Sequence, residues 1–324
     1  MPEGLVRNTG ERVATRYAFA DAILELGAED PRVVVLDADV SKSLTTDRFA
    51  AKFPGRGFNI GVAEQNMMCT AAGLSTLGLV PFACTYGVFA SMRGLEQIRT
   101  TICYPRLNVK VVGSHGGVTA GPDGASHQAI EDLALMRAVA NMTVLMPADG
   151  PTMRLAVRAA ARWDGPVYIR LTRDPVPVLF DASYPFEIGK SVTLREGNDA
   201  TVIAIGDMVV QALAAAEALA KEGVSIRVID MHTLKPLDEE AVLKAAADTG
   251  AIVTAEDHTI MGGLGSAVAE VLGENRPTPL QRIGIRDRFT ESGSYADLLV
   301  KYGLTAGDIA AAVRKVLCRK GTGL

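Results

Sequence analysis

Glu64 stands in Gly61-Val-Ala-Glu-Gln-Asn-Met67, between the end of a short strand and a helix rich in Ala, Gly, Met and Cys. A carboxylate in such surroundings loses hydration, which suits a group that holds or donates a proton to a ring nitrogen. Negative charge is also favoured in a first helical turn, which would place a glutamate there without any chemistry. In Thr85-Tyr-Gly-Val-Phe89, Tyr86 and Phe89 lie three positions apart around a glycine, in a chain only 5% aromatic. They could flank a flat ring or simply pack in a core. The glycine-rich stretch Gly113–Gly124, with His127 just beyond it, gathers Asp123 and two of the chain's four histidines, His115 and His127. Glycines there permit sharp turns and a close approach to a ligand. A helix starting near Ser126 would set His127 where backbone N–H groups converge, as donors for sugar hydroxyls or a phosphate. The alternative is a flexible surface loop with incidental histidines. Arg16 and Arg173 count only if the fold brings them to the same mouth as His115. No ligand triad at metal-site spacing is visible. Met261-Gly-Gly-Leu-Gly-Ser266 misses the full dinucleotide pattern and reads as helix-entry packing.

The elements that must position these residues alternate between short apolar strands and longer amphipathic helices. Helical spacing runs from Arg12 to Gly27. Strands are expected at Arg32–Asp37, Phe58–Gly61, Val109–Val112, Thr143–Met146 and Pro166–Leu171, with helices over about 66–77 and 89–102. Asp149-Gly-Pro-Thr152 opens a further helix with Pro151 in its first turn. From Asp174 to Gly189 both periods vanish and prolines punctuate what reads as a linker. A second unit follows, with strands at Ala200–Ile205, Ser225–Ile229, Ala251–Ala255 and Leu280–Ile285. The fold class is therefore α/β, two domains, each a mainly parallel sheet with helices on both faces, over residues 1–185 and 186–324. Parallel sheets bind ligands at the carboxyl ends of their strands, so the loops after Leu36, Ile60, Val112 and Leu171 are the places for a site.

The 324 residues suffice for two ordinary domains, and 48% are hydrophobic. A net charge of −4 with mixed signs argues against nucleic acid or an acidic membrane as partner. Cys69, Cys84, Cys103 and Cys318 form no C-x-x-C pair and read as buried, reduced thiols. The polar opening Met1–Arg12 lacks an apolar signal core, and no run approaches a membrane span. A cytoplasmic chain is the expectation.

The order of the segments resembles the C-terminal half of transketolase. The likeness runs through Leu36-Asp-Ala-Asp-Val-Ser-Lys-Ser43, Gly61–Asn66, Pro81–Tyr86 with Phe89, Gly121-Pro-Asp-Gly-Ala-Ser-His127 and Leu171-Thr-Arg173. It continues in Asp230–Leu237, Thr254-Ala-Glu-Asp-His258 and Phe289-Thr-Glu-Ser-Gly293, and so covers nearly the whole chain. The resemblance implies a pyrimidine-binding domain followed by a transketolase C-terminal domain. It implies that Glu64 hydrogen-bonds N1′ of thiamine diphosphate, with catalytic duty shared by His127. Tyr86 and Phe89 would pack on the aminopyrimidine, although the family more often has Phe at the position of Tyr86, and Asp39 would lie near the cofactor. Asp123 and His127 would bind donor-sugar hydroxyls, and Arg16, Ser43, His115 and Arg173 the phosphate of a sugar phosphate. Full-length members carry Gly-Asp-Gly before an Asn-rich segment that binds metal and diphosphate; here the nearest approaches are Gly206-Asp-Met and Ala148-Asp-Gly. The resemblance thus implies that Mg²⁺ or Ca²⁺ is bound mainly by a separate N-terminal transketolase subunit, two of each chain forming the enzyme, and none by this chain alone. Rival expectations are a 1-deoxyxylulose-phosphate-synthase-like subunit, the β subunit of a 2-oxoacid dehydrogenase, a non-catalytic scaffold, or a nucleotide-dependent dehydrogenase.

Overall fold

The computed structural model describes residues 5–7 and 10–321, so part of the polar opening segment lies outside the described residues. In chain order the strands are β1 (Arg12–Val13), β2 (Val33–Asp37), β3 (Gly57–Asn59), β4 (Val80–Tyr86), β5 (Lys110–Ser114), β6 (Thr143–Leu145) and β7 (Val167–Arg170). They continue as β8 (Val176–Pro177), β9 (Val192–Arg195), β10 (Ala200–Ala204), β11 (Ile226–Asp230), β12 (Thr233–Lys235), β13 (Ile252–Thr259) and β14 (Leu280–Ile285). The larger sheet has the order β12-β6-β7-β5-β4-β2-β3, and the second β14-β13-β10-β11-β9; β1 and β8 form a two-stranded ribbon. Every pairing from β6 across to β3 is parallel, and β12 joins β6 antiparallel.

Strand alternation sends neighbouring side chains to opposite faces. In β2, Val33 and Val35 enter a core with Phe19 and Ile23 of the helix Thr15–Glu29, whereas Val34 and Leu36 enter another with Met67, Met68 and Ala71 of the helix Glu64–Thr76. In β10, Val202 and Ile203 divide in the same way between helices on the two faces of the second sheet. Strands this apolar on both faces can only be buried on both, which is why the doubly covered architecture was readable.

Several expectations differ from what is found. Arg12 belongs to β1 and the first helix begins at Thr15. No helix starts near Ser126; the helix after the glycine stretch is Asp132–Ala138. The Ser126 hydroxyl faces His127 Nδ1 at 2.9 Å, and the chain beyond runs extended, Gly117 N–H donating to Ala129 C=O at 2.7 Å. His127 therefore does not sit at a helix N-terminus. The stretch 174–189 is a packed strap: Val176–Pro177 pairs with Arg12–Val13, and Leu179, Phe180 and Tyr184 are buried. Cys84 and Cys103 are buried, but Cys69 and Cys318 are exposed, contrary to a uniformly buried set. No helix of the described residues is long and apolar enough to cross a membrane.

Candidate active site

The buried face of the helix Glu64–Thr76 carries Glu64, Met67, Met68, Ala71 and Ala72, the i, i+3, i+4, i+7, i+8 stripe of an amphipathic helix. Glu64 is thus a carboxylate on an apolar stripe, 1% exposed. An unpaired charge there would be costly, and Arg93 Nη1 meets its Oε2 at 3.0 Å. Arg93 in turn lies over the Phe89 ring, 4.5 Å from its centroid.

Tyr86 ends β4, and Phe89 opens the wide helical turn Phe89–Arg93. Their rings stand 5.8 Å apart and tilted. The His127 ring approaches both nearly edge-on, at 5.4 Å from Tyr86 and 5.3 Å from Phe89. The His115 ring lies 4.1 Å from Tyr86. Tyr86 is only half-buried, so its hydroxyl is not sealed into the core.

His115 directly follows β5, at the carboxyl edge, with φ +63°, a conformation uncommon for a side chain of this size. Its Nε2 is 3.4 Å from Asp123 Oδ2, and Arg173 Nε is 3.3 Å from that same oxygen. Burial above all, then the charges of Arg16 and Arg173 and lastly His127, push His115 down to about 3. The imidazole is therefore neutral at neutral pH, and the positive charge of this corner comes from the two arginines. Arg173 also pairs with Asp174 at 2.9 Å. Arg16, in the first turn of the helix Thr15–Glu29, donates to the Ser43 carbonyl at 2.7 Å and approaches its hydroxyl at 3.3 Å. Its Nε is buried without a partner.

One contact chain therefore runs Glu64–Arg93–Phe89–His127–Tyr86–His115–Asp123–Arg173, along the carboxyl ends of neighbouring parallel strands. Arg16 and Ser43 bond each other and reach the group through the field of Arg16 on His115. Asp39 sits beyond the end of β2 with φ +63° and accepts from Asn59 Nδ2 at 2.9 Å, rather than touching the aromatic group. Arg93 is the member that sequence reasoning missed. It lies 29 residues from Glu64, and the arginine four positions after Phe89 was the one signal available. The Gly-Gly-Leu-Gly turn is filled from within: Glu256 accepts the N–H groups of Leu264 and Gly265 at 2.7 and 2.8 Å, where a phosphate would have to sit. A separate cavity of about 540 Å³ lies beside Arg154 and Arg158, but both are already paired with glutamates.

Residues 11–178 match the family model "Transketolase, pyrimidine binding domain", and residues 189–309 match "Transketolase, C-terminal domain". The 6-deoxy-6-sulfo-D-fructose transketolase subunit of Clostridium sp. (strain MSTE9) is 46% identical over 305 residues, 94% of this chain and 95% of that protein. An apulose-4-phosphate transketolase subunit of Phocaeicola vulgatus is 38% identical over 293 residues, 90% of this chain and 94% of that protein. Among solved structures, a split-gene transketolase described as an inactive β4 tetramer superposes with a TM-score of 0.89 at 54% identity, covering 95% of this chain and 99% of that one.

Proposed function

The chain belongs to the transketolase family of transferases, and from that premise we propose that it is the C-terminal subunit of a two-chain transketolase. In this reading it moves a two-carbon ketol unit from a ketose phosphate to an aldose phosphate by means of thiamine diphosphate. Residues up to about 185 form the pyrimidine-binding unit and the remainder the C-terminal unit. A separate N-terminal subunit, two of each chain, completes the site.

The observation that carries the reading is a buried carboxylate on an apolar helix stripe beside an aromatic pair and two histidines. That donor set fits a flat, protonatable heterocycle. It does not fit the other end of the cofactor. In this reading the diphosphate and Mg²⁺ or Ca²⁺ fall mainly to the partner, since this chain lacks the Gly-Asp-Gly and Asn-rich segment with which full-length members bind them.

Thiamine diphosphate, when bound, supplies the carbon nucleophile and electron sink for C–C cleavage. Glu64 would hold the proton shared with N1′ of the aminopyrimidine, exchanging its Arg93 contact for that one. Tyr86 and Phe89 would pack against the ring, with Asp39 nearby on the same sheet edge. His127, in edge contact with both aromatics, would meet the donor hydroxyls together with Asp123 and move a proton there. Arg16 and Arg173, with Ser43 and the neutral His115 as hydrogen-bonding groups, would grip the tetrahedral anion at the far end of the sugar. A sulfonate offers the same oxygens as a phosphate, and the similarity to a sulfofructose transketolase subunit favours including it as a second donor class.

The test is reconstitution with an N-terminal subunit and a comparison of ketose phosphates, a 6-sulfonated ketose and pyruvate as donors. Ketol transfer should require both chains, and pyruvate should fail. Glu64→Gln should lower kcat by about 100-fold or more while leaving the far-UV spectrum unchanged. Near-wild-type turnover in that variant rules out the role assigned to Glu64.

A further inference from the structure

We propose that Asp257, a carboxylate of the second sheet, is a positioning residue that holds the loop 116–129 in the shape that presents His115, Asp123 and His127. The consequence for sugar binding rests on the proposed function; the brace itself does not.

Asp257 lies in β13 and is wholly buried. Both of its oxygens accept the Val118 N–H, at 3.0 and 2.9 Å. The neighbouring Gly117 has φ +59°, and a Cβ there would lie 2.0 Å from Asp257 Oδ2. The loop therefore comes as close to this carboxylate as the absence of a side chain allows. Arg170, the last residue of β7, extends the clamp. Its Nη1 donates to the Asp257 carbonyl at 2.9 Å and its Nη2 to the Ala129 carbonyl, while its Nε is 3.0 Å from Asp132 Oδ2. Tyr168 donates to that same oxygen at 2.6 Å. The middle of the loop is held by the segment 291–293, within the Phe289–Gly293 run whose place in the chemistry was otherwise unassigned. Gln128 Nε2 donates to the Gly121 and Glu291 carbonyls, each at 3.0 Å, and a Cβ on Gly124 would lie 2.6 Å from Ser292 Oγ.

No step of the proposed chemistry uses Asp257, yet burying a carboxylate is expensive and an apolar residue would fill the same space at lower cost. What the carboxyl group provides is a fixed acceptor for a loop amide, and burial together with the nearby Asp207 pushes its pKa well above the usual carboxylate range. A loop of glycines has little apolar contact of its own, so its geometry is set by such clamps. A misplacement of about 1 Å at a reacting group can cost about 100-fold. In this view the second unit serves catalysis without touching substrate.

The experiment uses full-length Asp257→Leu, which removes the acceptor at similar volume, with Gln128→Met as a second, milder variant that cuts a different strut should the first fail to fold. Amide hydrogen exchange on the chain without its partner should be accelerated about tenfold or more across 117–128 and unchanged in the helix Glu64–Thr76. With the partner, the donor KM should rise about tenfold and by more than the thiamine diphosphate Kd, because Glu64, Tyr86 and Phe89 lie outside the loop and the two aromatics meet it through His127. Unchanged loop exchange, acceleration spread evenly over the chain, or faster loop exchange with an unaltered donor KM each overturns the proposal. Should the wild-type pair transfer no ketol unit, the proposed function falls, and the exchange result alone decides the brace.

Discussion

His115 brings hydrogen-bonding capacity to the site without charge, and that follows from where it sits. Burial is the largest cause of its fall to about 3, with Arg16, Arg173 and His127 adding to it. An unfolded histidine titrates near about 6.5, so between those values the unfolded chain takes up a proton that the folded one refuses. The stability tied to a neutral His115 is complete above the unfolded value and is lost as pH falls through the window. His232 and His258, each lowered to about 4 by burial, act with the same sign. Asp230 and Glu256 act oppositely: burial raises each to about 7, so their contribution is present at low pH and lost as pH rises toward neutrality. Because the two sets overlap, the wild-type profile alone does not isolate the group. The difference in unfolding free energy between wild type and His115→Gln does. It should grow between about pH 4.5 and 6.5 and stay level above, read by urea denaturation. A difference independent of pH removes the claim that His115 is held neutral. At this scale the segment around Glu64 left a first-turn carboxylate and a chemical one both open, and only the family resemblance singled the residue out; its burial is a fact of the fold. Arg93 was not legible, because its partner is set by the packing of two distant elements.

Asp149 shows how one side chain fixes an element and its neighbour together. It caps the helix Gly150–Arg162, its Oδ1 accepting Thr152 N–H at 2.9 Å, within a reciprocal capping box. Its Oδ2 accepts the N–H groups of Leu179 and Phe180 at 2.8 and 2.9 Å. Asp149→Ala should therefore destabilise the chain by about 3 kcal/mol, the loss of a cap plus two buried amides left without an acceptor. Asp149→Asn should cost nearly as much, since its amide nitrogen must face either the cap or the two strap amides, all of them donors. A loss under about 1 kcal/mol in urea unfolding, for either variant, contradicts this account. The helix start was legible from Asp149-Gly-Pro-Thr152. The strap was not, because the residues of 174–189 follow no period and their order is imposed by an acceptor some thirty positions away. Ser126 failed as a helix signal for the converse reason: its hydroxyl is taken by the neighbouring His127 ring, and residue 129 is drawn into an extended pairing with Gly116. Most of the parallel strands, by contrast, were read within a residue or two, since continuous apolar runs have few other homes, but β4 was not read as a strand at all and β13 runs four residues past the expected end at Ala255.

Two α/β units in series were legible in the alternation of strands and helices, but their fusion was not. Domains joined in one chain commonly share a modest, polar interface and unfold separately. Here β12, from the second half of the chain, closes the edge of the first sheet, Thr233 facing Leu145 and Lys235 facing Val144. Met146 N–H donates to the His232 carbonyl at 2.9 Å, and Lys235 Nζ donates to the carbonyls of Arg137 and Val139 at 2.9 and 2.6 Å. One apolar core contains Met146 and Tyr168 from the first half together with Ile203, Met231 and Leu264 from the second. Three residues, short and partly polar, give β12 no strand signature of its own; the edge it covers creates it. Splitting the molecule between its units would expose that core, the edge of β6 and the buried Arg170–Asp132 pair at once. Unfolding of the whole chain should therefore be a single cooperative transition. Trp163, the sole tryptophan, reports on the first unit, whereas far-UV circular dichroism reports on both. Their urea midpoints should coincide, and a fragment ending at residue 187 should show no cooperative transition of its own. Separated midpoints, or a fragment that unfolds cooperatively near the whole-chain midpoint, would show that the second unit leans on the first without completing it.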